Sequence, residues 1–447
     1  MKAMIQTTRI YLNRRGMGPL IVRAVIGSGG LRLAGMVFGF LVGLQLTRGL
    51  GVDDYGIYGV AMSVIALLTV PTEFGLPQLL TREVAAAQVS KDWAQLRGIL
   101  MWSSKVVILA SVCVMTLVAI GFAATDTNFC SPLAMPLIAG LVMVPLVALG
   151  NLQCAALRGL QHIVKGQLPD TLIRPALFSL FLFLAPWLAM PLSPALAMWL
   201  GVASAAVAFG LAIFLLHRHL PAAIRTAKPK FHPVLWWSSA MPMALTEGMR
   251  VLQSHFLILL MSIFATISMV GLFKVASSVA LLITVPVALL NVVGAPLLSR
   301  LHAQGDHVRL QRLLRWIAIG MTGGSLALTV PLLVDGRSLL AAVFGEEFGA
   351  ANESTLVLCG SAVINGIFGA NAVLLNMTGH QNRVTRASGF SLVLLVLLSP
   401  PLIANAGALG AAIASSLSML AWNVMMWRDA LRLLSIDTSL LYIFRTP

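Results

Sequence analysis

Eight ionisable side chains lie within long apolar stretches of the sequence, where a charge requires a partner or a watery surrounding. The basic ones are Arg32, Lys105, Arg174, Arg250 and Lys274, and the acidic ones are Glu73, Asp170 and Glu247. An ionised group at the middle of a bilayer costs about 2.5 to 3.5 kcal/mol on insertion scales, so such groups normally face a cavity or one another. Because the basic residues outnumber the acidic ones, the set favours an anionic ligand, such as a phosphate group that arginine binds through paired hydrogen bonds.

Arg32 lies near the centre of the first apolar stretch, where its side chain cannot easily reach the headgroups. It shares a helical face with Gly35, Gly39 and Gly43, because residues three or four apart lie in line on a helix. A glycine ridge of this kind indicates tight helix packing or a dimer interface. Beside an arginine it also suits a smooth wall for a bulky sugar chain, and we interpret Arg32 as substrate-binding.

Glu247 and Arg250 are three residues apart on one predicted helix and could simply neutralise each other. Their helix corresponds to the first one in an internal repeat described below. The repeat predicts that this pair faces Arg32 across a central cleft, and we interpret Arg250 as substrate-binding.

The other embedded charges lie closer to the ends of their predicted helices. Lys105 and Arg174 are within about two turns of an end, where a long side chain can either reach the headgroups or line a cleft. Asp170 is expected to be a boundary residue at a helix N-terminus. Lys274 lies some five residues inside the opposite end of its helix. We predict that Lys105, Arg174 and Lys274 also contribute to an anion-binding surface.

Glu73 follows Pro71 and precedes Gly75 and Pro77, where missing backbone hydrogen bonds allow a helix to bend. The corresponding helix of the second half carries Pro286 at the matching position. Bends placed alike in both halves suit a rocking motion, so Pro71 and Pro286 are predicted to act in gating. Glu73, and likewise Glu247, is a candidate for coupling transport to H⁺ or Na⁺, although Glu73 could equally hydrogen-bond freed backbone groups. No metal or organic cofactor is predicted.

The composition requires that these residues sit in membrane-spanning helices. The chain of 447 residues is 58% hydrophobic and only 10% charged, with a mean hydropathy of +0.91, far from the values of soluble domains. Apolar runs of roughly 20 residues recur throughout, which suits helices crossing a ~30 Å layer rather than short barrel strands. The net charge of +15 does not indicate nucleic acid, because the basic residues are dispersed among short loops.

Hydropathy predicts twelve spans, and the distribution of charge gives their orientation. With both termini in the cytoplasm, the inner loops and tails hold most of the lysines and arginines, whereas the outer loops hold only Arg48 and Arg337 beside several acids. The basic segment His217–Pro233 separates six spans from six. The sequence therefore predicts a first bundle at 1–217, a cytoplasmic linker at 218–233 and a second bundle at 234–447.

The two halves share an internal repeat. Tyr55–Pro71 aligns with Val270–Pro286 at an offset of 215 positions, with nine of seventeen residues identical. Because an even number of spans separates them, both halves must enter the membrane from the same side. The repeat is therefore predicted to be parallel, with a transport pathway between the halves.

The same segment carries a family resemblance. A turn ending in the motif D-Y-G-x-Y at Asp54–Tyr58, followed by E-F-G-L-P-x-L-L-T-R-E at Glu73–Glu83, resembles the bacterial polysaccharide (O-antigen type) flippases. These are relatives of the multidrug and toxin extrusion transporters and of the lipid II flippases. The resemblance implies an all-α membrane fold of two six-helix bundles around a central cleft.

The resemblance also implies a function. Such a protein would move polyprenyl-pyrophosphate-linked oligosaccharides across the bacterial inner membrane by alternating access, without catalysing a reaction. Glycosyltransferases and a polysaccharide polymerase would be its partners in surface polysaccharide synthesis, including the O-antigen of lipopolysaccharide.

Two alternatives remain at the level of sequence. A cation-coupled multidrug extruder of the related family would usually need an acidic cleft, whereas the embedded charge here is predicted to be basic. A membrane polysaccharide polymerase or ligase would usually need a large outer loop, and the longest one here, at 335–350, is short.

Overall fold

A computed structural model describes residues 17–124, 132–188, 190–304, 306–434 and 436–440. Every regular element within these ranges is helical, as expected from the apolar runs. The termini predicted to be cytoplasmic, at 1–16 and 441–447, and most of the predicted second outer loop, at 125–131, lie outside the described residues.

The α-helices follow one another with short connections. Their bounds are α1 Met17–Glu73, α2 Leu76–Ser90, α3 Trp93–Ala124, α4 Ala134–Gly159, α5 Ile163–Leu168, α6 Arg174–Leu184, α7 Pro194–His219, α8 Ala223–Thr226, α9 Pro233–Phe264, α10 Ile267–Ile283, α11 Val285–Ala303, α12 His307–Phe344, α13 Asn352–Phe368, α14 Asn371–Met377 and α15 Gln381–Leu434. A π-helical turn at Pro169–Ile173 joins α5 to α6, and 3-10 turns occupy Pro186–Leu188 and Glu346–Ala351.

These helices follow the predicted spans in order. Six described helices are long and apolar enough to cross a membrane, and two bent pairs raise the number to as many as eight. Helix α1 contains the first predicted span and most of the second, and α15 contains the last two; the spans of each pair meet at a non-helical glycine, Gly51 or Gly407. Both glycines have a positive φ, of 76° and 52°, which side chains rarely tolerate. The predicted fifth and seventh spans correspond to α5–α6 and to α9, so each of the twelve predicted spans has a helical counterpart in the described residues.

By its contacts the chain divides into two compact units. The first contains residues 1–45 and 61–252, and the second contains residues 46–60 and 253–447. The core of the first unit joins α2, α3 and α4 with the start of α9, where Trp236 and Ala240 are fully buried. The core of the second unit joins α11, α12, α14 and α15. The division into bundles at 1–217 and 234–447 remains a prediction from the sequence.

The predicted linker packs on the first unit. The backbone N–H of Lys230 donates to the Ala94 carbonyl at 3.0 Å, and the Arg97 guanidinium donates to the Ala227 carbonyl at 2.8 Å. The Lys230 carbonyl lies so close to Gly98 that a side chain there would collide with it. This segment is therefore held against the start of α3.

Candidate functional site

The first group of embedded charges surrounds the break between α1 and α2. Helix α1 ends at Glu73, and Phe74 and Gly75 adopt positive φ angles of 45° and 67° before α2 begins. The Asn151 side chain of α4 donates to Glu73 Oε1 at 2.7 Å. The carboxyl group is thus fixed at the bend by a side chain of another helix, rather than by a freed backbone group.

Two ion pairs lie near Glu73 in the first unit. Arg250 donates to the Glu247 carboxylate from both Nε and Nη2, and its side chain remains 68% exposed. Gln78 makes a longer contact with Glu247, at 3.4 Å. Arg174 donates to Asp170 at 3.1 Å, four residues earlier.

These residues form one inner cluster, defined as Glu73, Asp170, Arg174, Glu247 and Arg250. The charges of Glu247, Asp170 and Arg250 all act on Glu73. Because each of these two arginines is paired with a carboxylate, the positive charge expected from the sequence is partly neutralised within this cluster. It instead combines the exposed Arg250 and the largely covered Arg174, whose side chains are 68% and 24% exposed, with a carboxyl group at a helix break.

Arg32 and Lys105 are exposed side chains of the first unit. The glycine ridge beside Arg32 has two kinds of surroundings. A side chain at Gly35 would collide with the Thr171 carbonyl, whereas nothing lies within 4 Å of one at Gly39. Gly35 therefore serves close packing, and Gly39 borders open space. The substrate-binding roles of Arg32, Lys105, Arg174 and Arg250 remain predictions.

Pro286 lies at the bend between α10 and α11, which differ in direction by 42°. The hydroxyl of Ser325 donates to the Ile283 carbonyl at 2.9 Å, next to the break. The bend is thus supported by a polar side chain from α12, and Pro71 in α1 lies two residues before Glu73. The gating roles of the two prolines remain predictions.

Lys274 lies in the second unit. Its ammonium nitrogen is 4.6 Å from the ring centroid of Tyr55 and 4.2 Å from that of Tyr58. The nitrogen is buried and makes no hydrogen bond within the described part of the chain. The two rings belong to the D-Y-G-x-Y motif, so the motif contains the partners of this lysine.

The motif and α10 make a symmetric crossing. A side chain at Gly56 would collide with the Ile267 carbonyl, and one at Gly271 would collide with the Val52 carbonyl. Gly56 and Gly271 are equivalent in the two repeats, and so are Val52 and Ile267, because each pair is 215 positions apart. Exchanging the repeats therefore converts one contact into the other, and the crossing is a two-fold contact. Small residues at such a crossing allow two backbones to approach closely.

Two further contacts lie on the same two-fold axis. The hydroxyl of Ser268 donates to Asp53 Oδ1 at 2.5 Å, and Lys274 lies against Gly59. In each pair the two residues occupy the same position of their repeats. The repeat predicted from the sequence is therefore present as a structural two-fold at this crossing.

The segment before the motif is held by the predicted fifth outer loop. The Arg48 guanidinium donates to the carbonyls of Val343 and Ala342, at 2.8 and 2.7 Å, which lie in the last turn of α12. The Val52 N–H donates to Glu347 Oε2 at 3.2 Å. Sequence reasoning did not assign these roles, although Arg48 stood out as a basic residue on the acidic side of the membrane.

No metal site accompanies these contacts in the ranges that the structure covers. Within them, no group of three or more His, Cys, Asp or Glu side chains is arranged to hold an ion.

Comparison with known proteins gives a family and a fold. The sequence profile of a family described as "Polysaccharide biosynthesis protein" matches residues 21–302. No curated protein sequence matches the chain significantly.

Several solved structures are similar. An inward-facing multidrug resistance MATE family transporter of the MOP superfamily has a TM-score of 0.73 and 11% identity, over 91% of this chain and 98% of its own. The lipid II flippase MurJ has a TM-score of 0.68 and 12% identity, over 92% and 87%. A MOP superfamily transporter from Pyrococcus furiosus has a TM-score of 0.62 and 10% identity, over 92% and 96%. At these identities the likeness concerns the fold, and it confirms the predicted helical fold of the multidrug and toxin extrusion type.

Proposed function

Because the chain belongs to the polysaccharide biosynthesis protein family, we propose that it is a flippase for lipid-linked oligosaccharides. Its cargo is a sugar unit carried on a polyprenyl pyrophosphate, which it moves from the cytoplasmic to the outer leaflet of the bacterial inner membrane. The observation that carries this proposal is the family match over most of a chain whose fold is shared with a lipid II flippase. The O-antigen of lipopolysaccharide is one glycan that fits this class.

The inner cluster is the proposed site for the charged head group. Glu247 orients the Arg250 guanidinium from one side, while most of that side chain remains exposed. An arginine held in this way is suited to a pyrophosphate, because its planar donors match two phosphate oxygens. Arg32 adds a second cation beside the open glycine surface, and the polyprenyl chain stays in the lipid.

Transport then follows alternating access, with both termini in the cytoplasm. The head group is admitted while the inner ends are open, and it leaves when the outer ends separate. Glu73, fixed by Asn151 at the helix break, is the proposed coupling carboxylate for H⁺ or Na⁺, with Glu247 as the other candidate. No covalent bond of the cargo changes, so glycosyltransferases supply the cargo and a polymerase consumes it.

A cation-coupled multidrug extruder is the second candidate. The inner cluster contains three carboxyl groups and two arginines, and the balance between them is more acidic than the embedded charge of the whole chain suggests. An acidic surface attracts organic cations. The fold is also that of MATE transporters.

The test uses purified protein in liposomes that carry a fluorescent polyprenyl-pyrophosphate sugar, with flipping followed by chemical quenching of the outer leaflet. The wild type should flip this lipid, and the double variant Arg32→Ala, Arg250→Ala should be slower by roughly tenfold to a hundredfold, since charge-assisted hydrogen bonds are lost. The matched control is Arg309→Ala, which removes an exposed arginine paired with Asp306. Absence of flipping by the wild type would refute the flippase, and uptake of cationic dyes instead would assign the extruder. Equal flipping by wild type and double variant would refute the site.

A further inference from the structure

The enclosed ammonium group of Lys274 is unusual for a lysine. A lysine ammonium has three donors and normally contacts water or an acceptor oxygen. Here the nitrogen is buried, and the groups that face it are the rings of Tyr55 and Tyr58. Aromatic faces attract a cation electrostatically, and the attraction is stronger when water is excluded. The cluster of Lys274, Tyr55 and Tyr58 is called the aromatic cage below.

Gly59 makes the room for this cage. A Cβ atom at Gly59 would lie 2.9 Å from Lys274 Cδ, closer than ordinary packing allows. Gly59 and Lys274 are equivalent in the two repeats, so they meet at the two-fold axis. One repeat supplies the space and the other supplies the charge.

The cage also lies at a contact that transport must break. The crossing at Gly56 and Gly271 consists of backbone approaches, with a hydrogen bond between Ser268 and Asp53 beside it. In alternating access the outer ends of the two repeats separate. Separation would remove both rings from Lys274 and expose its ammonium group to water.

We propose that the aromatic cage is a latch, which holds the outer ends together and presents Lys274 to the anionic head group when they separate. The rings and the pyrophosphate then compete for one cation, so arrival of the head group at the outer side favours the open state. Release of the head group lets the cage form again. This inference rests on the proposed flippase function, because it assigns an outer contact to the same pyrophosphate.

The latch is tested with a single reporter thiol. Ser278 lies one turn further into the membrane than Lys274, and its hydroxyl donates to the Lys274 carbonyl at 2.9 Å. The reporter is Ser278→Cys in a chain whose four native cysteines are replaced by serine. Its rate of reaction with a neutral, hydrophilic maleimide added to the outside measures opening of the outer ends. A neutral reagent is chosen because a charged one would respond to the loss of the lysine itself.

Lys274→Met preserves the unbranched stem and removes the cation. It should increase the labelling rate by up to about tenfold, because in the proposed latch the attraction of two desolvated rings outweighs the cost of burying the ammonium group. Tyr58→Phe is the matched control, since it keeps the aromatic face, and its rate should stay close to that of the reporter alone. A labelling rate unchanged by Lys274→Met would overturn the latch. If Lys274→Met does not fold, Tyr58→Leu takes its place. Faster labelling of Tyr58→Leu than of Tyr58→Phe would support the latch, and equal rates would overturn it.

The second part of the proposal uses polyprenyl pyrophosphate as the probe. Added to the outside, it should increase labelling of the reporter protein and have no effect on the Lys274→Met variant. An equal increase in both would refute the contact with Lys274. Flipping by the wild type is measured in parallel, so the two ideas can fail separately. Faster labelling of Lys274→Met together with no flipping by the wild type would retain the latch and refute the flippase. Flipping by the wild type together with an unchanged labelling rate of Lys274→Met would retain the flippase and refute the latch.

Discussion

Replacing Gly56 by alanine should force apart the two helices that cross at the repeat axis. The added Cβ would collide with the Ile267 carbonyl and would lie 2.9 Å from Ile267 Cγ2. Gly271→Ala should act in the same way from the other repeat, through the Val52 carbonyl. Because the two contacts are related by the two-fold, their effects should be similar in size.

The magnitude follows from packing. Inserting a methyl group into a close contact typically costs about 1 to 3 kcal/mol. Alanine recovers roughly 0.5 to 1 kcal/mol relative to glycine inside a helix. The net loss for each variant is therefore about 0 to 2.5 kcal/mol and is centred on about 1 kcal/mol, which lowers Tm by roughly 2 to 4 °C for a unit of this size. The double variant should lose less than the sum, because a crossing already opened by one methyl group accommodates the second.

The assay is thermal unfolding of the purified protein in detergent, followed by tryptophan fluorescence. Gly323→Ala is the control, because nothing lies within 4 Å of its added Cβ and the substitution only adds helix propensity. Its Tm should equal or exceed that of the wild type. The symmetric crossing would be refuted by a Tm of Gly56→Ala and Gly271→Ala equal to that of the control, or by full additivity in the double variant.

Two further predictions concern the first unit. Glu73→Gln keeps an oxygen facing Asn151 but removes the charge. The dependence of the flipping rate on pH or Na⁺ should therefore flatten, while the Tm stays constant. An unchanged dependence would show that another residue couples transport to the ion. In the loop between α4 and α5, burial and the neighbouring His219 and Lys165 lower the pKa of His162. The unfolded chain binds this proton at about pH 6.5, and the folded chain binds it only at a lower pH. The associated stability is therefore present above that pH and is lost on acidification below it. Tm measured against pH should show this loss, and His162→Gln should reduce it; an equal slope in the variant would contradict the assignment.

The sequence predicted the repeat and its equivalent positions, because identity at a constant offset survives in a single chain. It did not predict that Gly56 and Gly271 contact the opposite repeat. Two residues can be equivalent in a repeat without lying near the two-fold axis, and the sequence does not show which residues lie at that axis. It identified Glu73 as a carboxyl group at a bend, but its partner Asn151 lies 78 residues away and has no local signal. The spacing of Glu247 and Arg250 already allowed the two to neutralise each other, and the structure shows this ion pair and a second one between Arg174 and Asp170. The anion-binding roles expected of the two arginines remain predictions.

The pair at Gly59 and Lys274 shows how this chain accommodates one charge at its repeat axis. Two equivalent side chains at an axis occupy the same space, so both cannot be large unless the helices move apart. At Gly56 and Gly271 the conflict is avoided because both residues are small. At the next turn one residue is glycine, and the space it leaves is taken by the outer part of the Lys274 side chain, from Cδ to Nζ, with its ammonium group over two rings of the motif. At this position the charge therefore comes from one repeat alone, and the other repeat contributes the space that accommodates it.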